Sequence, residues 1–343
     1  MSRKQLLKAA QLLVGLWIMA TASPMDAASS QPEVRIVAST FPVYLFTRNI
    51  VNGAQGVVVE SMLPASMGCP HDYVLTPGDM EKISRAKIFV ANGLGLEEFL
   101  GAPLERANPD VVLVDSSRGI RDVIDGGDDH AEEAGVASRH KHGERSQPQS
   151  DSTAHRHEAG EGRPHEHKGP NPHLFASPRM AAMMVRNIAS ALVDADPSNA
   201  ALYTRNGAAY ATALDALAEE ARIVGGKLKN RRVVTQHAVF DYLARDMGLE
   251  IAAVVREDPG MEPSAAEMLQ LVRVIRQKQV GALFTEPQYP AKVGETVARE
   301  AKIPVAVLDP VATGAENAPL DYYQQVMRKN LETLRKTLGF TGD

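Results

Sequence analysis

Between Val34 and Leu338, short runs rich in valine and isoleucine alternate with stretches whose apolar residues recur every three or four positions. Short β-branched runs bounded by turn residues read as buried strands, and the three-to-four spacing reads as helices with one apolar face. The first half predicts strands at Val34–Ser39, Val57–Met62, Lys87–Ala91 and Val111–Val114, with helices at Pro42–Val51, Pro77–Arg85 and Leu96–Arg106. Thr76-Pro77-Gly78-Asp79 marks one helix start well, with a capping hydroxyl, a proline in the first helical position and an acid in the third.

A helical pattern opens again at Ser177-Pro178 and runs to about Val193. Asp196-Pro197 starts a longer helix whose apolar residues Tyr203, Tyr210, Leu214, Leu217, Ala221 and Val224 share one face, and Gly225-Gly226 is read as its end. At roughly 28 residues such a helix is ~42 Å long, since each residue rises about 1.5 Å. That length suits a rod joining two lobes. A second alternating set follows, with strands at Arg232–Thr235, Ile251–Val255, Ala282–Thr285 and Val305–Leu308. Its helices fall at about Ala238–Met247, Ser264–Lys278, Ala291–Ala301 and Leu320–Leu338, the second opened by a Ser264/Glu267 capping box. Strands alternating with helices build parallel sheets from βαβ units. The expected fold class is therefore α/β, two βα lobes with parallel sheets joined by one long backbone helix. The lobes are placed at 29–195 and 227–343, with the linking helix at 196–226.

Two stretches stand outside this alternation. From about Ser116 to Pro170 the periodicity stops, and the composition turns to His, Glu, Asp, Gly, Ser and Arg. Such a stretch buries too little apolar area to offset its ordering entropy, so about 120–168 is expected to be a disordered insertion in the first lobe. At the other place, Arg3, Lys4 and Lys8 precede an apolar run of 11 residues, Leu12–Ala22, followed by the small residues Ala27 and Ala28. This reads as a cleaved secretory signal peptide over residues 1–28. The run is short of the ~20 apolar residues needed to span a bilayer. No cysteine near the cleavage region offers a lipid anchor, so the expectation is a soluble, exported, periplasmic chain.

Removing residues 1–28 leaves 34 basic against 41 acidic side chains, a net charge of −7 where the whole chain carries −5. That sign argues against nucleic acid and against anionic lipid as partners. Cys69 is the only cysteine, so no internal disulfide forms.

Charge excludes partners; the histidines suggest one. Seven of the ten, His130, His140, His142, His155, His157, His165 and His167, crowd into the polar insertion. The other three stand apart: His71 after the second strand, His173 where the insertion ends, and His237 after the Arg232–Thr235 strand. Ligands of open α/β sheets bind in the crevice beyond the carboxyl ends of the strands. A single histidine there is usually a surface or backbone-bonded loop residue; three at equivalent places point to a metal. Neutral imidazole suits Zn²⁺, Cu²⁺ and Ni²⁺, whereas Mn²⁺ and Mg²⁺ prefer oxygen. The fourth position is left open by the residues themselves: a carboxylate would close the shell, and water would make the metal catalytic. Asp309, after the last strand, is the candidate carboxylate, with a turn before Pro310 as its alternative reading. Glu286 reads as an outer hydrogen-bond acceptor, and Cys69 as a half-buried structural cysteine.

Four segments carry a resemblance. Cys69-Pro70-His71-Asp72-Tyr73-Val74-Leu75-Thr76-Pro77-Gly78-Asp79 resembles the "PHDYxxTPxD" signature of the metal-binding substrate-binding proteins of ABC transporters, the ZnuA/TroA-like (cluster A-I) family. Asn171-Pro172-His173-Leu174-Phe175-Ala176-Ser177-Pro178 is similar to that family's "DPHxWxDP" element. Thr235-Gln236-His237 through Tyr242, and Thr285-Glu286-Pro287-Gln288-Tyr289, resemble two further elements in family order. The resemblance spans about residues 34–338 and implies metal bound in the cleft between lobes, on His71, His173, His237 and Asp309. Histidine at the third position implies zinc rather than manganese. Asn171, Phe175 and Ser177 depart from the family's aspartate, tryptophan and aspartate, which weakens any outer-shell role assumed for them.

The expected function is that of a periplasmic high-affinity zinc-binding protein, a monomer and not an enzyme, delivering Zn²⁺ to an ABC-type permease. The clustered histidines would capture metal weakly and feed the cleft. A periplasmic metallochaperone is a further candidate partner. Two other readings stay open at this point: a manganese or iron carrier on the same fold, and a zinc-dependent hydrolase or lyase, although no HExxH helix is present.

Overall fold

The computed structural model describes residues 33–68, 70, 73–126, 169–256 and 263–342. The region read as a signal peptide, His71, Cys69 and all seven clustered histidines lie outside the described residues.

In the first lobe the strands are β1 (Val34–Ala38), β2 (Val57–Ser61), β3 (Ile88–Ala91) and β4 (Val112–Asp115). All pair in parallel, in the order β2-β1-β3-β4. The helices between them are α1 (Phe41–Val51), α2 (Pro77–Arg85) and α3 (Gly101–Ala107). Helix α2 opens as its sequence predicts: the Asp79 backbone N–H donates to Thr76 Oγ1, and Asp79 Oδ2 accepts from the Thr76 N–H at 2.8 Å. Two helices follow, α4 (Pro178–Ala195) and the long α5 (Ala200–Lys227). The second lobe repeats the first, with β5 (Arg232–Thr235), β6 (Glu250–Val254), β7 (Ala282–Thr285) and β8 (Val305–Val307) in the parallel order β6-β5-β7-β8. Its helices are α6 (Asp241–Met247), α7 (Ala265–Gln277), α8 (Lys292–Ala301) and α9 (Tyr322–Leu338).

Alternate side chains of a strand point to opposite faces, and the two faces feed different cores. Ile36 and Ala38 of β1, Val233 of β5 and Phe284 of β7 enter one large apolar cluster with α1, α4, α5 and α9. Val37 and Phe89 enter a smaller cluster with α2 and α3, and Val234 and Leu283 one with α7 and α8. Each sheet thus has helices on both faces, and the central cluster runs through both lobes. At about 25 cal/mol per Å² of apolar surface buried, that shared core is what holds the lobes as a unit.

Polar bonds brace the same boundary. The chain after β8 crosses to the first lobe, where the Tyr44 hydroxyl donates to Glu316 O, Arg48 to Ala318 O and Asn49 to Leu320 O. On the other side of the crevice the Tyr242 hydroxyl donates to Asn171 O and the Ser177 hydroxyl to Asp246 Oδ2. Among the described residues no helix is long and apolar enough to cross a membrane.

The structure corrects several sequence expectations. The last strand of each lobe is not buried: Leu113 of β4 is 56% exposed and Val307 of β8 is 51% exposed. Both are edge strands, paired on one side only among the described residues, which leaves these side chains exposed. The helix expected at Leu96–Arg106 starts only at Gly101, after a 3₁₀ turn at Glu98–Leu100. The insertion also begins later than about residue 120 on its near side, because Ile124–Gly126 pairs antiparallel with Gly169–Asn171.

Candidate metal centre

His237 stands just past the end of β5, on the residue that caps the 3₁₀ turn Ala238–Phe240. Its Nδ1 lies 2.8 Å from Glu286 Oε1, and both residues are buried. Glu286 Oε2 accepts from Gln288 Nε2 at 2.6 Å, so this carboxylate is an acceptor on both oxygens. The proton of the imidazole therefore sits on Nδ1, and Nε2 carries the lone pair. That Nε2 is buried and, among the described residues, has no hydrogen-bond partner. The Tyr289 ring meets the imidazole edge to face, with centroids 4.5 Å apart. Ring orientation, tautomer and packing are all set, which is how an outer shell prepares a metal-binding histidine.

His173 follows the base of the insertion and precedes the 3₁₀ turn Leu174–Ala176. Its Nδ1 lies 2.8 Å from Asn171 Oδ1, and its backbone N–H donates to the same oxygen at 3.0 Å. An amide oxygen only accepts, so here too the proton is on Nδ1 and Nε2 is the basic nitrogen. Phe175 packs edge to face on the ring, with centroids 5.9 Å apart. Three departures from the resembled family pattern thus acquire contacts of their own. Asn171 holds the ring, Phe175 packs on it, and the Ser177 hydroxyl accepts from the Met180 N–H to cap α4.

Asp309 lies beyond β8, where Asn330 grips its peptide: Asp309 N–H donates to Asn330 Oδ1 at 3.0 Å, and Asn330 Nδ2 donates to Asp309 O at 2.7 Å. One carboxylate oxygen accepts from the Val311 N–H at 2.8 Å, so the turn reading is also realised. Burial pushes the Asp309 carboxyl above its usual 3.8, with the nearby Glu286 charge adding in the same direction, against the Val311 bond and Lys329.

Gly68, in the first lobe, comes close to the chain that follows β7. A Cβ on Gly68 would stand 3.0 Å from Gln288 Cγ and 3.4 Å from the Tyr289 hydroxyl oxygen. A side chain there would need Gln288 to give by a few tenths of an ångström, so the glycine suits this close approach to the strand exit of the second lobe. The structure therefore joins His237 to Glu286 directly and ties His173, through Asn171, to the segment that follows His237, while Asp309 is held by Asn330 and Val311. Among the described residues it assembles no group of three or more His, Cys, Asp or Glu side chains around one point.

Asn92 is a contributor that sequence reasoning passed over. It follows β3, is fully buried, and donates from Nδ2 to Pro172 O at 2.9 Å, supporting the backbone next to His173. Its position at a strand exit before Gly93 was the available signal. Tyr289 was quoted only for its likeness to a motif, with no contact foreseen.

Parallel βα lobes on one long helix, with one imidazole at the exit of β5 and another ahead of α4, define a two-lobed binding protein of the metal-binding type. The chain belongs to the family described as "ZnuA: Zinc-uptake complex component A periplasmic", whose pattern matches residues 36–337. It is 31% identical over 317 residues to the "Zinc-binding protein AdcA" of Streptococcus pyogenes serotype M3, covering 91% of this chain and 58% of that one. The chain thus spans a little over half the length of the AdcA relatives it matches. It is 29% identical over 317 residues to the "High-affinity zinc uptake system protein ZnuA" of Bacillus subtilis (strain 168), covering 91% of this chain and 90% of the relative. The solved structure "Crystal structure of ZnuA" shares its fold, with a TM-score of 0.68 at 24% identity over 90% of this chain and all of the other.

Proposed function

We propose that this chain binds one Zn²⁺ tightly between its lobes, through His71, His173, His237 and Asp309, and delivers it to the membrane permease of an ABC zinc-uptake transporter. The observation that carries this reading is the buried Nε2 of His237, which has no partner among the described residues. A buried polar atom without a partner costs about 1–3 kcal/mol. A bound cation removes that cost. Relatives named as zinc-binding or zinc-uptake proteins support the choice of metal, as does the preference of imidazole for zinc over manganese.

A shell closed by Asp309 leaves no position for a reactive water, which makes the protein a carrier rather than an enzyme. In this account residues 1–28 direct export to the periplasm, 29–195 and 227–343 are the lobes, and 196–226 the rod between them. The clustered histidines catch zinc weakly beside the cleft, and the carrier acts as a monomer, with a periplasmic metallochaperone as an accessory partner.

Titration calorimetry on a variant lacking residues 127–168 tests the assignment. One tight Zn²⁺ per chain, undisturbed by excess Mn²⁺, is the expected result. Loss of tight binding with the insertion, or displacement of zinc by manganese, would overturn it.

A further inference from the structure

We propose that Asn171 is the positioning residue that orients the His173 ring, and that it takes its footing on the opposite lobe. Asn171 is 4% exposed, and its side-chain amide is fully committed. Its oxygen accepts from the His173 backbone N–H at 3.0 Å and faces His173 Nδ1 at 2.8 Å. Its nitrogen donates to Ala238 O at 2.8 Å and to Asp241 Oδ2 at 2.9 Å. An amide has two donor hydrogens and two acceptor lone pairs, and all are used. Rotating it by half a turn would set its oxygen against a carbonyl and a carboxylate, both acceptors. The orientation is therefore fixed by chemistry.

The location of the footing matters. Ala238 is the residue after His237, and Asp241 opens α6, so both belong to the second lobe. His173 belongs to the first. His237 by contrast is held inside its own lobe by Glu286. Backbone contacts fix the same segment from both sides: Asn92 Nδ2 donates to Pro172 O, and the Tyr242 hydroxyl to Asn171 O. The Asn171 amide thus links the His173 ring to the segment that follows His237, across the lobe boundary. Without it, the His173 ring turns about its terminal torsion and loses its preferred tautomer.

This inference rests on reading His173 as a zinc ligand. The test uses Asn171→Ala, Asp241→Ala and the double variant in the full chain. Two quantities are read: imidazole ¹⁵N spectra of the metal-free protein at mildly alkaline pH, and zinc affinity in competition with a chelator. In Asn171→Ala the His173 resonances should move from the Nδ1–H tautomer toward a mixture, while those of His237 stay as an internal control. Zinc affinity should fall by about 10–100-fold, the usual size of an outer-shell loss. Asp241→Ala should shift both readouts less and in the same direction. The double variant should bind no more weakly than Asn171→Ala, because Asp241 acts through Asn171. An unchanged His173 tautomer in Asn171→Ala, or additive losses in the double variant, overturns the proposal. His173→Ala separates the two readings: if it keeps tight zinc, the ligand assignment fails, while the tautomer result still judges Asn171.

Discussion

Asp309 is a charge that the fold alone does not favour. Burial raises its carboxyl above the usual 3.8, so the folded chain binds that proton more tightly than the unfolded chain does. Ionisation at Asp309 then weakens folding. The penalty is absent well below the ordinary carboxylate value, grows as pH rises through it, and is complete once pH has passed the raised folded-state value. A cation in the cleft cancels it. Asp309→Asn keeps an oxygen for the Val311 N–H and removes the charge. We predict that this variant melts higher than the parent in chelator at neutral pH, and that zinc no longer raises its melting temperature. A lower melting temperature with an intact zinc response would make Asp309 a turn residue only. From sequence the turn and ligand roles of Asp309 could not be separated, because a strand exit before proline suits both. The strand-exit place of His237, and Glu286 as a hydrogen-bond acceptor, were readable from position alone. The part played by Asn171 was not, because its partners Ala238 and Asp241 sit across the lobe boundary and one of them is a backbone carbonyl.

The long helix α5 was the most legible element. Its stripe of Tyr203, Tyr210, Leu214, Leu217, Ala221 and Val224 is buried throughout. Leu214 is fully buried in the central cluster. Leu214→Ala should destabilise the protein by about 2–5 kcal/mol, the range for a leucine cavity, as read from denaturant unfolding in chelator. A cost near zero would mean that the helix is not the rod on which both lobes pack. Its ends were misread for instructive reasons. Gly225-Gly226 was read as a stop, yet the helix continues to Lys227. Gly225 is there for space, since a Cβ would come within 2.0 Å of Met247 O. At the other end Asp196 accepts from the Tyr203 hydroxyl at 2.7 Å and from Asn199 Nδ2 at 2.8 Å, which tightens the first turn into 3₁₀ geometry. The late start of α3 has a similar origin. Glu97 accepts from the Ser39 hydroxyl and from the backbone N–H groups of Asn92 and Gly93, which draws the chain into a loop before the helix can begin.

Across the whole molecule the two halves follow one plan, and the alternation of strands and helices was enough to find it. What the alternation does not carry is the bracing between halves. Those bonds run largely to backbone carbonyls of loops, as from Arg48 to Ala318 and from Asn49 to Leu320, and backbone groups have no residue signature. The consequence is a crevice whose walls are tied at both ends before any ligand arrives. Within that crevice the His173 and His237 rings are already oriented by Asn171 and Glu286. The most direct test of this account is a crystal structure of the zinc-loaded protein with diffraction measured on both sides of the zinc absorption edge. The account predicts one strong zinc peak between the lobes, bound by imidazole nitrogens of His71, His173 and His237 and by a carboxylate oxygen of Asp309. A zinc bound elsewhere, or one in the cleft with water in place of Asp309, would contradict it.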